Sequence, residues 1–542
     1  MTVSGIFGIF DFNGQPVARE SLEAMRDSMA YWGPDGSALW QDGPIGIGHL
    51  LLHNTPQASG ESLPLRDPAT GIVLTAHARI DNREELIGEL QITNYELGMA
   101  NSERSAIPDG ALILQAYLRW GEGCAHHLVG DWAFAAWDPR QHALFIARDP
   151  CGISSLYTYR SSRCFAFASC IKALLALPDV PQRPNLFRIA QVLTSWPGDG
   201  VQTVYEEIFQ LPPAHTLTVT PEKAESRQYW FLEEVPRVRL GSDEAYVEAF
   251  LEVYAEAVRC RTLTLPLTPN PSPRGRGGQG VRVCATLSSG LDSGSVCALA
   301  ARELHAHGKR LLAFTSVPLY STEGLLSRNH YGDEAPLVEV ERRFIDALDV
   351  QYIRSEAISP LDGILRGLEL HDSPGHAAGN TFWINAILQA AQEQGFAALL
   401  TGQVGNATVS WQGGTETYWP LLLSGRWGML FDKAKQSGLS PWRVIKRYLL
   451  HPILLPLRNQ VKHLRAAGHD LWADYSAINL AWARSLNLTR RMRSEGHDPL
   501  FIPPTDPAQA RKRILKPGTN SVGALWAENG AGYGIEIGRA HV

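Results

Sequence analysis

Apolar residues occur in short runs that end at small or polar residues, and the clearest run lies in the second half of the chain. Residues 281–287 are mainly apolar and rich in β-branched side chains, and the run ends at Ser288-Ser289-Gly290. Apolar residues recur at helical spacing over residues 294–300. A strand, a tight turn and a helix in this order are typical of an α/β unit. The apolar runs 311–318 and 397–401 predict two further strands of the same sheet.

The first 230 residues have a different pattern, in which short strands alternate with turns. Residues 3–12, 128–140, 143–153 and 164–170 contain strand-like apolar segments that end at Asp, Pro or Gly. Residues 21–31 have apolar positions at helical spacing. The pattern predicts a layered, β-rich N-terminal domain.

The segments between and after the predicted strands have the patterns of helices and of one loop. Ala245 to Arg261 has apolar residues three and four apart, which predicts a helix. Residues 264–280 are dense in Pro and Gly and predict an exposed insertion rather than a packed element. Residues 415–530 are predicted to be mainly helical.

Composition narrows the class of protein. The chain has 542 residues, 44% of them hydrophobic and 19% charged, which fits two or three globular domains. A net charge of -6 without a long basic run argues against nucleic acid as a partner. The seven cysteines contain no C-x-x-C pair, which argues against a disulfide framework or a zinc site. No signal peptide or membrane span is recognisable, so we expect a soluble, cytoplasmic protein without a membrane partner.

The turn after residue 287 predicts anion binding. Small residues let backbone N–H groups approach a phosphate, and the positive end of the following helix favours it. Asp292 would repel a phosphate unless a divalent cation lay between them, and Mg²⁺ accepts both carboxylate and phosphate oxygens. The spacing differs from that of a kinase-type phosphate loop. An ordinary Ser/Gly turn in a doubly wound sheet is the alternative.

These residues and five other segments carry a family resemblance. The turn resembles the S-G-G-x-D-S pyrophosphate loop of ATP pyrophosphatases, with Ser289 at the first glycine. S-G-I-F-G, G-P-D-G, G-D-W-A-F-A-A-W-D, A-R-D-P-C-G-I and F-A-S-C-I-K-A-L-L resemble, in order, motifs of asparagine synthetases. The resemblance implies an α+β, αββα domain of the Ntn-hydrolase type over residues 1–230, similar to class II glutamine amidotransferases. It implies an α/β ATP-pyrophosphatase domain, a doubly wound parallel sheet with a helical C-terminal part, over residues 231–542.

The N-terminal part departs from a working glutaminase of that family. Ser4 stands at the position of the nucleophilic cysteine, with three residues ahead of it, so neither a thiolate nor a terminal amine is expected. Leu51 replaces the arginine that grips the substrate carboxylate, and His77-Ala78-Arg79 replaces the N-G-E motif of the oxyanion hole. Losing one oxyanion donor alone costs about two to three orders of magnitude in rate. With Asp109 these residues form a degenerate glutaminase site, and we expect a structural role for the domain.

The second departure concerns the loop after the third strand. Asparagine synthetases carry S-G-E-G-x-D-E there, whereas this chain has Gln403, Asn406 and Ala407 in place of the acids. This loop, the missing nucleophile and R-I-D-N-R-E-E-L at 79–86 resemble lasso-peptide cyclases. The resemblance implies that an Asp or Glu side chain of a ribosomal precursor peptide is adenylated and attacked by the N-terminal amine of the peptide. A leader-peptide-binding protein and a leader peptidase are implied as further partners.

The resemblance also assigns roles within the site. It implies ATP and Mg²⁺ as cofactors, with Asp292 as the metal ligand. The residues implied to bind the nucleotide are Leu287, Ser288, Ser289, Gly290, Asp292, Ser293, Val317, Thr401 and Gly402. The residues implied to take part in catalysis are Asp292, Ser293, Gln403 and Asn406. Residues 536–542, E-I-G-R-A-H-V, are what a common sequencing adapter would encode, so we expect a truncated reading frame that lacks a lysine-bearing tail.

Three alternatives remain open from the sequence. The first is an asparagine synthetase that uses ammonia or glutamine, against which the changes at Gln403, Asn406 and Ala407 weigh. The second is a β-lactam-forming relative. The third is an inactive scaffold that binds ATP or peptide, which Ser289 and Val404 favour.

Overall fold

The computed structural model describes most of the chain, in two compact units. The described residues are 4–55, 57–92, 107–194, 200–262, 282–326, 331–375, 378–411, 415–436, 440–451, 453–455, 457–458, 461, 471–495 and 522–539. One unit comprises residues 1–183, 205–409 and 521–542, and the other comprises 184–204 and 410–520. The predicted insertion, residues 264–280, lies outside the described residues. The predicted domain boundary near residue 230 stays a prediction.

The N-terminal part of the first unit contains two antiparallel sheets, which we call the double sheet. Their strands are β1 Gly5–Asp11, β2 Gly36–Asp42, β3 Ile45–Leu51, β4 Leu65–Arg66, β5 Val73–Ile80, β6 Gly130–Asp138, β7 Ala143–Arg148, β8 Tyr157–Arg160, β9 Cys164–Ala168, β10 Ile208–Gln210, β11 His215–Val219 and β12 Ala224–Gln228. The strand orders are β10-β8-β9-β1-β3-β2 and β12-β11-β7-β6-β5-β4.

The two sheets pack face to face because their inward residues are large and apolar. Phe10 and Phe167 of the first sheet meet Val73 and Ile146 of the second in one buried cluster. Helices cover the outer faces: α1 Arg19–Ser28, α2 Arg83–Leu90, α3 Asp109–Trp120 and α4 Ile171–Leu175. Leu22 of α1 is buried on the first sheet, and Leu112 of α3 is buried on the second. The predicted αββα architecture is confirmed.

A second sheet system follows in the same unit, and we call it the parallel sheet. Its strands are β13 Val283–Thr286, β14 Leu311–Val317, β15 Leu348–Arg354, β16 Ala398–Thr401 and β17 Glu536–Arg539, in the order β15-β14-β13-β16-β17. Every neighbouring pair is parallel. Because such strands are buried on both faces, their sequences are short, nearly continuous apolar runs. The three strands predicted from such runs agree with β13, β14 and β16 to within two residues at each end.

Helices flank both faces of the parallel sheet. The preceding helix in the chain, α5 Leu186–Leu193, belongs to the second unit. In chain order the flanking helices are α6 Asp243–Thr262, α7 Leu291–Ala306, α8 Ala335–Phe344, α9 Pro360–His371 and α10 Thr381–Glu393. Val296 and Ala300 of α7 lie in the core on one face, and Ile387 and Leu388 of α10 lie in the core on the other. The predicted doubly wound arrangement is confirmed.

The second unit is helical. Besides α5 it contains α11 Thr415–Leu423, α12 Trp427–Gln436, α13 Pro441–Val444, a π-helix at Ile445–Leu450, α14 Leu480–Ser485 and α15 Leu488–Ser494. Phe187 packs with Trp472 and Met492 in one apolar cluster, and Tyr418 packs with Leu430 in another. The last helix of the chain, α16 Val522–Tyr533, belongs to the first unit.

Two findings concern the expectations about disulfide bonds and membrane spans. None of the seven cysteines, which all lie in the described part of the chain, forms a disulfide bond. Among the described residues, no helix combines the length and the apolar character that crossing a membrane requires.

Candidate nucleotide site at the carboxyl edge of the parallel sheet

The order of the strands singles out one place on the parallel sheet. The chain runs outward from β13 through β14 to β15, and then returns to the other side of β13 with β16 and β17. In an open α/β sheet, ligands bind in the crevice outside the carboxyl ends of the strands, where the strand order reverses. That crevice lies between the turn after β13, residues 287–293, and the loop after β16, residues 402–408.

The turn after β13 is held in shape by one serine. Ser293 Oγ accepts a hydrogen bond from Ser288 N at 2.9 Å and lies 2.9 Å from Ser288 Oγ. The same hydroxyl donates to Ser288 O and Gly290 O at 3.1 and 3.3 Å. No side chain caps α7 at its N-cap residue Gly290, so the N–H groups of its first turn keep their capacity to bind an anion. Ser293 therefore shapes the cradle rather than facing a ligand.

Asp292 connects this turn to the second loop. A methyl group added at Gly405 would lie 2.6 Å from Asp292 Cβ and closer still to the carboxyl group, and one added at Gly402 would lie 2.6 Å from Ser293 N. Only glycine allows the two loops to approach so closely. Asp292 Oδ1 is a buried oxygen without a hydrogen-bond partner among the described residues. An orphaned carboxylate oxygen beside an anion cradle fits a Mg²⁺ ligand.

The remaining predicted residues of the second loop differ in exposure. Asn406 is exposed, Gln403 is half-buried, and Thr401 is buried at the end of β16 with its Oγ1 unpartnered in the described structure. Val404 has a φ of +70°, which is unusual for a β-branched residue. This position corresponds to the second glycine of the S-G-E-G-x-D-E pattern, so the valine occupies a backbone conformation that suits glycine.

A cavity of about 690 Å³ opens at the carboxyl ends of β14 and β15. It is lined by Val317, Ser355 and Phe382, and a second cavity of about 590 Å³ adjoins it beside Leu319 and Tyr331. Of the residues predicted to bind the nucleotide, only Val317 lines these cavities. The structure thus brings Ser288 to Ser293 together with Gly402, and places Val317 one strand away. Leu287 is buried, and its backbone N–H bonds Phe314 O at 2.9 Å. The assigned roles stay predictions.

Two residues beside the first turn of α7 escaped the sequence analysis. Tyr254 of α6 is buried, and its hydroxyl lies 2.8 Å from Ser295 Oγ. Glu341 of α8 approaches Gly294, where an added methyl would lie 3.2 Å from Glu341 Oε2. Burial, with a smaller effect of Glu334, raises the pKa of Glu341. No motif indicates either residue, since both lie in ordinary amphipathic helices. Within the described residues, no group of three or more His, Cys, Asp or Glu could hold a metal ion.

The degenerate glutaminase site combines buried residues with a cavity of about 410 Å³, which is lined by Arg79 and Asp109 among others. Ser4 is buried, and its Oγ accepts a hydrogen bond from Leu52 N at 3.1 Å. His77 is fully buried, with the Trp32 ring 6.0 Å away in an edge-on arrangement. Burial and the nearby His77 lower the pKa of His49 to about 3, so this imidazole stays neutral at physiological pH. No group in this set resembles an activated nucleophile.

The other predicted members of that site lie in the strands and helices of the double sheet. Leu51 ends β3, and Ala78 lies within β5. Asp109 is buried at the start of α3 and forms an ion pair with Arg83. Burial raises the pKa of Asp109 to about 6, although Arg83 opposes the shift. An acid already paired with an arginine is poorly placed to bind the ammonium group of glutamine.

Comparisons with known proteins cover both parts of the chain. The family described as glutamine amidotransferase domain matches residues 3–230, and the family described as asparagine synthase matches residues 274–498. The glutamine-hydrolyzing asparagine synthetase 3 of Bacillus subtilis (strain 168) is 27% identical over 344 residues, which are 62% of this chain and 52% of that protein.

Two further similarities were found. The amidase chry2 of Gibberella zeae is 26% identical over 394 residues, which are 71% of this chain and 54% of that protein. A solved glutamine phosphoribosylpyrophosphate amidotransferase from B. subtilis, in complex with ADP and GMP, has 14% identity and a TM-score of 0.31, covering 74% of this chain and 91% of that one. The chain spans about half the length of these two curated relatives.

Proposed function

The chain belongs to the asparagine synthetase family, and on that premise we propose that it is an ATP-dependent carbon–nitrogen ligase that adenylates a carboxylate. The observation that carries the proposal is the packing of the Ser288 to Ser293 turn against Gly402 and Gly405, with Asp292 Oδ1 left unpartnered between them. Such a turn at the switch point of a parallel sheet suits a nucleotide phosphate.

The chemistry follows from these groups. The substrate carboxylate attacks the α-phosphate of ATP, pyrophosphate leaves, and an amine then displaces AMP from the acyl-adenylate with loss of a proton. The first-turn N–H groups of α7 bind the departing pyrophosphate, and the Ser293 hydroxyl keeps those groups in position. Asp292 would hold Mg²⁺, which supplies positive charge to the phosphate oxygens. Holding amine and acyl-adenylate together supplies the remaining acceleration.

We further propose a lasso-peptide cyclase, in which the acyl donor is an Asp or Glu side chain of a ribosomal peptide and the acceptor is the N-terminal amine of that peptide. The glutaminase site with Ser4 and Leu51 in place of cysteine and arginine supports this, because an internal amine removes the need for ammonia. The adjoining cavities of about 690 and 590 Å³ support a donor larger than free aspartate. A leader-peptide-binding protein, a leader peptidase and a cytoplasmic location belong to the same proposal.

Asparagine synthesis from aspartate and free ammonia is the second candidate. The similarity to the asparagine synthetase of B. subtilis favours it. The amide side chains at Gln403 and Asn406 weigh against it, since they remove two carboxylates from the loop beside Asp292.

The decisive assay is pyrophosphate release from MgATP by the purified chain. It is run with candidate precursor core peptides, with aspartate plus ammonia, and with no acceptor. We expect release only with a peptide, accompanied by loss of one water from the peptide mass. Asp292→Asn should abolish release, whereas Asp349→Asn, at an exposed ion pair with Arg310, should not. Release with aspartate alone would establish asparagine synthesis, and no release under any condition would contradict a ligase.

A further inference from the structure

The helix α6 contacts both the double sheet and the candidate nucleotide site. Its last turns carry four buried residues, and three of them, Tyr254, Val258 and Arg261, are spaced four and three apart. This spacing places them on one face, with Tyr254 and Arg261 about 10 Å apart along the axis. Each end of this face makes polar contacts with a different part of the first unit.

At one end, Arg261 forms ion pairs with residues of the double sheet. Its guanidinium donates to Asp81 Oδ2 at 2.7 Å and to Asp131 Oδ2 at 2.9 Å. Arg79 donates to the other oxygen of Asp81 at 3.1 Å. The Arg261 and Asp131 side chains are only 4% and 6% exposed, so their charges are strongly coupled. Although burial opposes ionisation, Arg261 and Arg79 hold the pKa of Asp81 at about 2.

At the other end, Tyr254 reaches the turn that carries Asp292. Ser295 Oγ donates to Leu291 O at 2.7 Å and to Asp292 O at 3.1 Å. Its single proton is thereby engaged, so the Tyr254 hydroxyl is the donor in the 2.8 Å bond between the two side chains. Burial, together with the Asp292 carboxylate, raises the pKa of Tyr254 to about 12, which places the tyrosine within the electrostatic reach of that acid.

We propose that α6 is a strut through which the double sheet positions the Asp292 turn, with Tyr254 and Arg261 as its two positioning residues. Arg79, in the degenerate N-G-E position, and Asp81 belong to the anchoring end. The glutaminase-like domain is then not a passive attachment. It holds the helix that fixes the first turn of α7. The effect of this helix on catalysis rests on the proposed function. Its mechanical link, by which the double sheet positions the first turn of α7, does not.

The mechanical link is tested by hydrogen exchange on the full chain, without nucleotide. We expect Tyr254→Phe and Arg261→Lys each to speed amide exchange over residues 288–295 about three- to tenfold, the range that loss of one hydrogen bond implies. Tyr246→Phe is the matched control, because Tyr246 lies on the same helix and its hydroxyl contacts only the nearby residues Val238 and Leu240 in the described structure. Asp131→Asn replaces Arg261→Lys if the lysine variant does not fold.

MgATP affinity, measured by calorimetry on the same variants, tests the functional consequence. We expect Tyr254→Phe and Arg261→Lys to weaken binding about three- to tenfold and the double variant to be no weaker than the worse single one, because both changes break one strut. Unchanged exchange in residues 288–295, or effects that multiply in the double variant, would overturn the strut. Faster exchange in a protein that binds no MgATP would leave the strut standing and overturn the proposed function.

Discussion

Replacing Gly405 by alanine tests the geometry on which the proposed chemistry depends. The added methyl would lie 2.6 Å from Asp292 Cβ, whereas carbon atoms in contact normally lie about 3.5–4.0 Å apart. The Asp292 side chain must therefore move by about 1 Å or more. Displacements of about 1 Å in a catalytic group cost about a hundredfold in rate. We expect pyrophosphate release to fall by about that factor.

A measurement of the free energy of unfolding distinguishes a loss of catalytic rate from unfolding of the variant. Overpacking at one position costs about 1–3 kcal/mol, which a folded chain of this size tolerates. The assay is single-turnover pyrophosphate release with MgATP and peptide, combined with urea unfolding. Gly88→Ala is the control, because an added methyl at Gly88 in α2 meets no atom within 4 Å. A Gly405→Ala variant with wild-type rates would show that the packing of Asp292 on this loop does not serve catalysis.

Three further predictions concern residues outside this contact. Val404→Gly should stabilise the protein by about 1 kcal/mol in urea unfolding, because it relieves a φ of +70°; a destabilised variant would contradict the strain. Stability should fall as the pH drops from 6.5 towards 3, because the unfolded chain protonates His49 while the folded chain keeps it neutral. His49→Leu should make this slope shallower by about 1.4 kcal/mol per pH unit, and an unchanged slope would contradict its neutral burial. Ser4→Cys should produce no glutamate from glutamine, since the side chain is buried and Leu51 cannot bind the substrate carboxylate; measurable glutaminase activity would refute the structural role.

Local patterns were sufficient for the elements that carry the nucleotide turn. The apolar run before Ser288 and the helical spacing after Gly290 predict β13 and α7, because a buried parallel strand and the helix behind it impose these patterns on consecutive residues. The predicted helix Ala245 to Arg261 agrees with α6, which begins two residues earlier and ends one later. The helical spacing begins at residue 294, whereas α7 begins at Leu291, so it is the structure that places Asp292 in the first turn of the helix.

Contacts between distant segments could not be predicted in the same way. Arg261 is 130 residues from Asp131 and 180 from Asp81, and nothing in an amphipathic helix distinguishes a buried arginine from an exposed one. His371 is a similar case, because its ring is buried and bonded to Glu528 and Asn529, which lie 157 and 158 residues later in the chain. These pairings depend on how whole elements pack, which periodicity does not encode.

The burial of most cysteines has a practical consequence for spectroscopy. Burial raises the thiol pKa of six of the seven, to about 12 for Cys124 and Cys170 and to about 11 for Cys260, so few of these thiols are ionised at neutral pH. Maleimide and iodoacetamide reagents react with the thiolate. A cysteine introduced at exposed Asn406 would therefore label faster than these six native thiols. A fluorophore there could report the second loop in real time while these six cysteines stay in place.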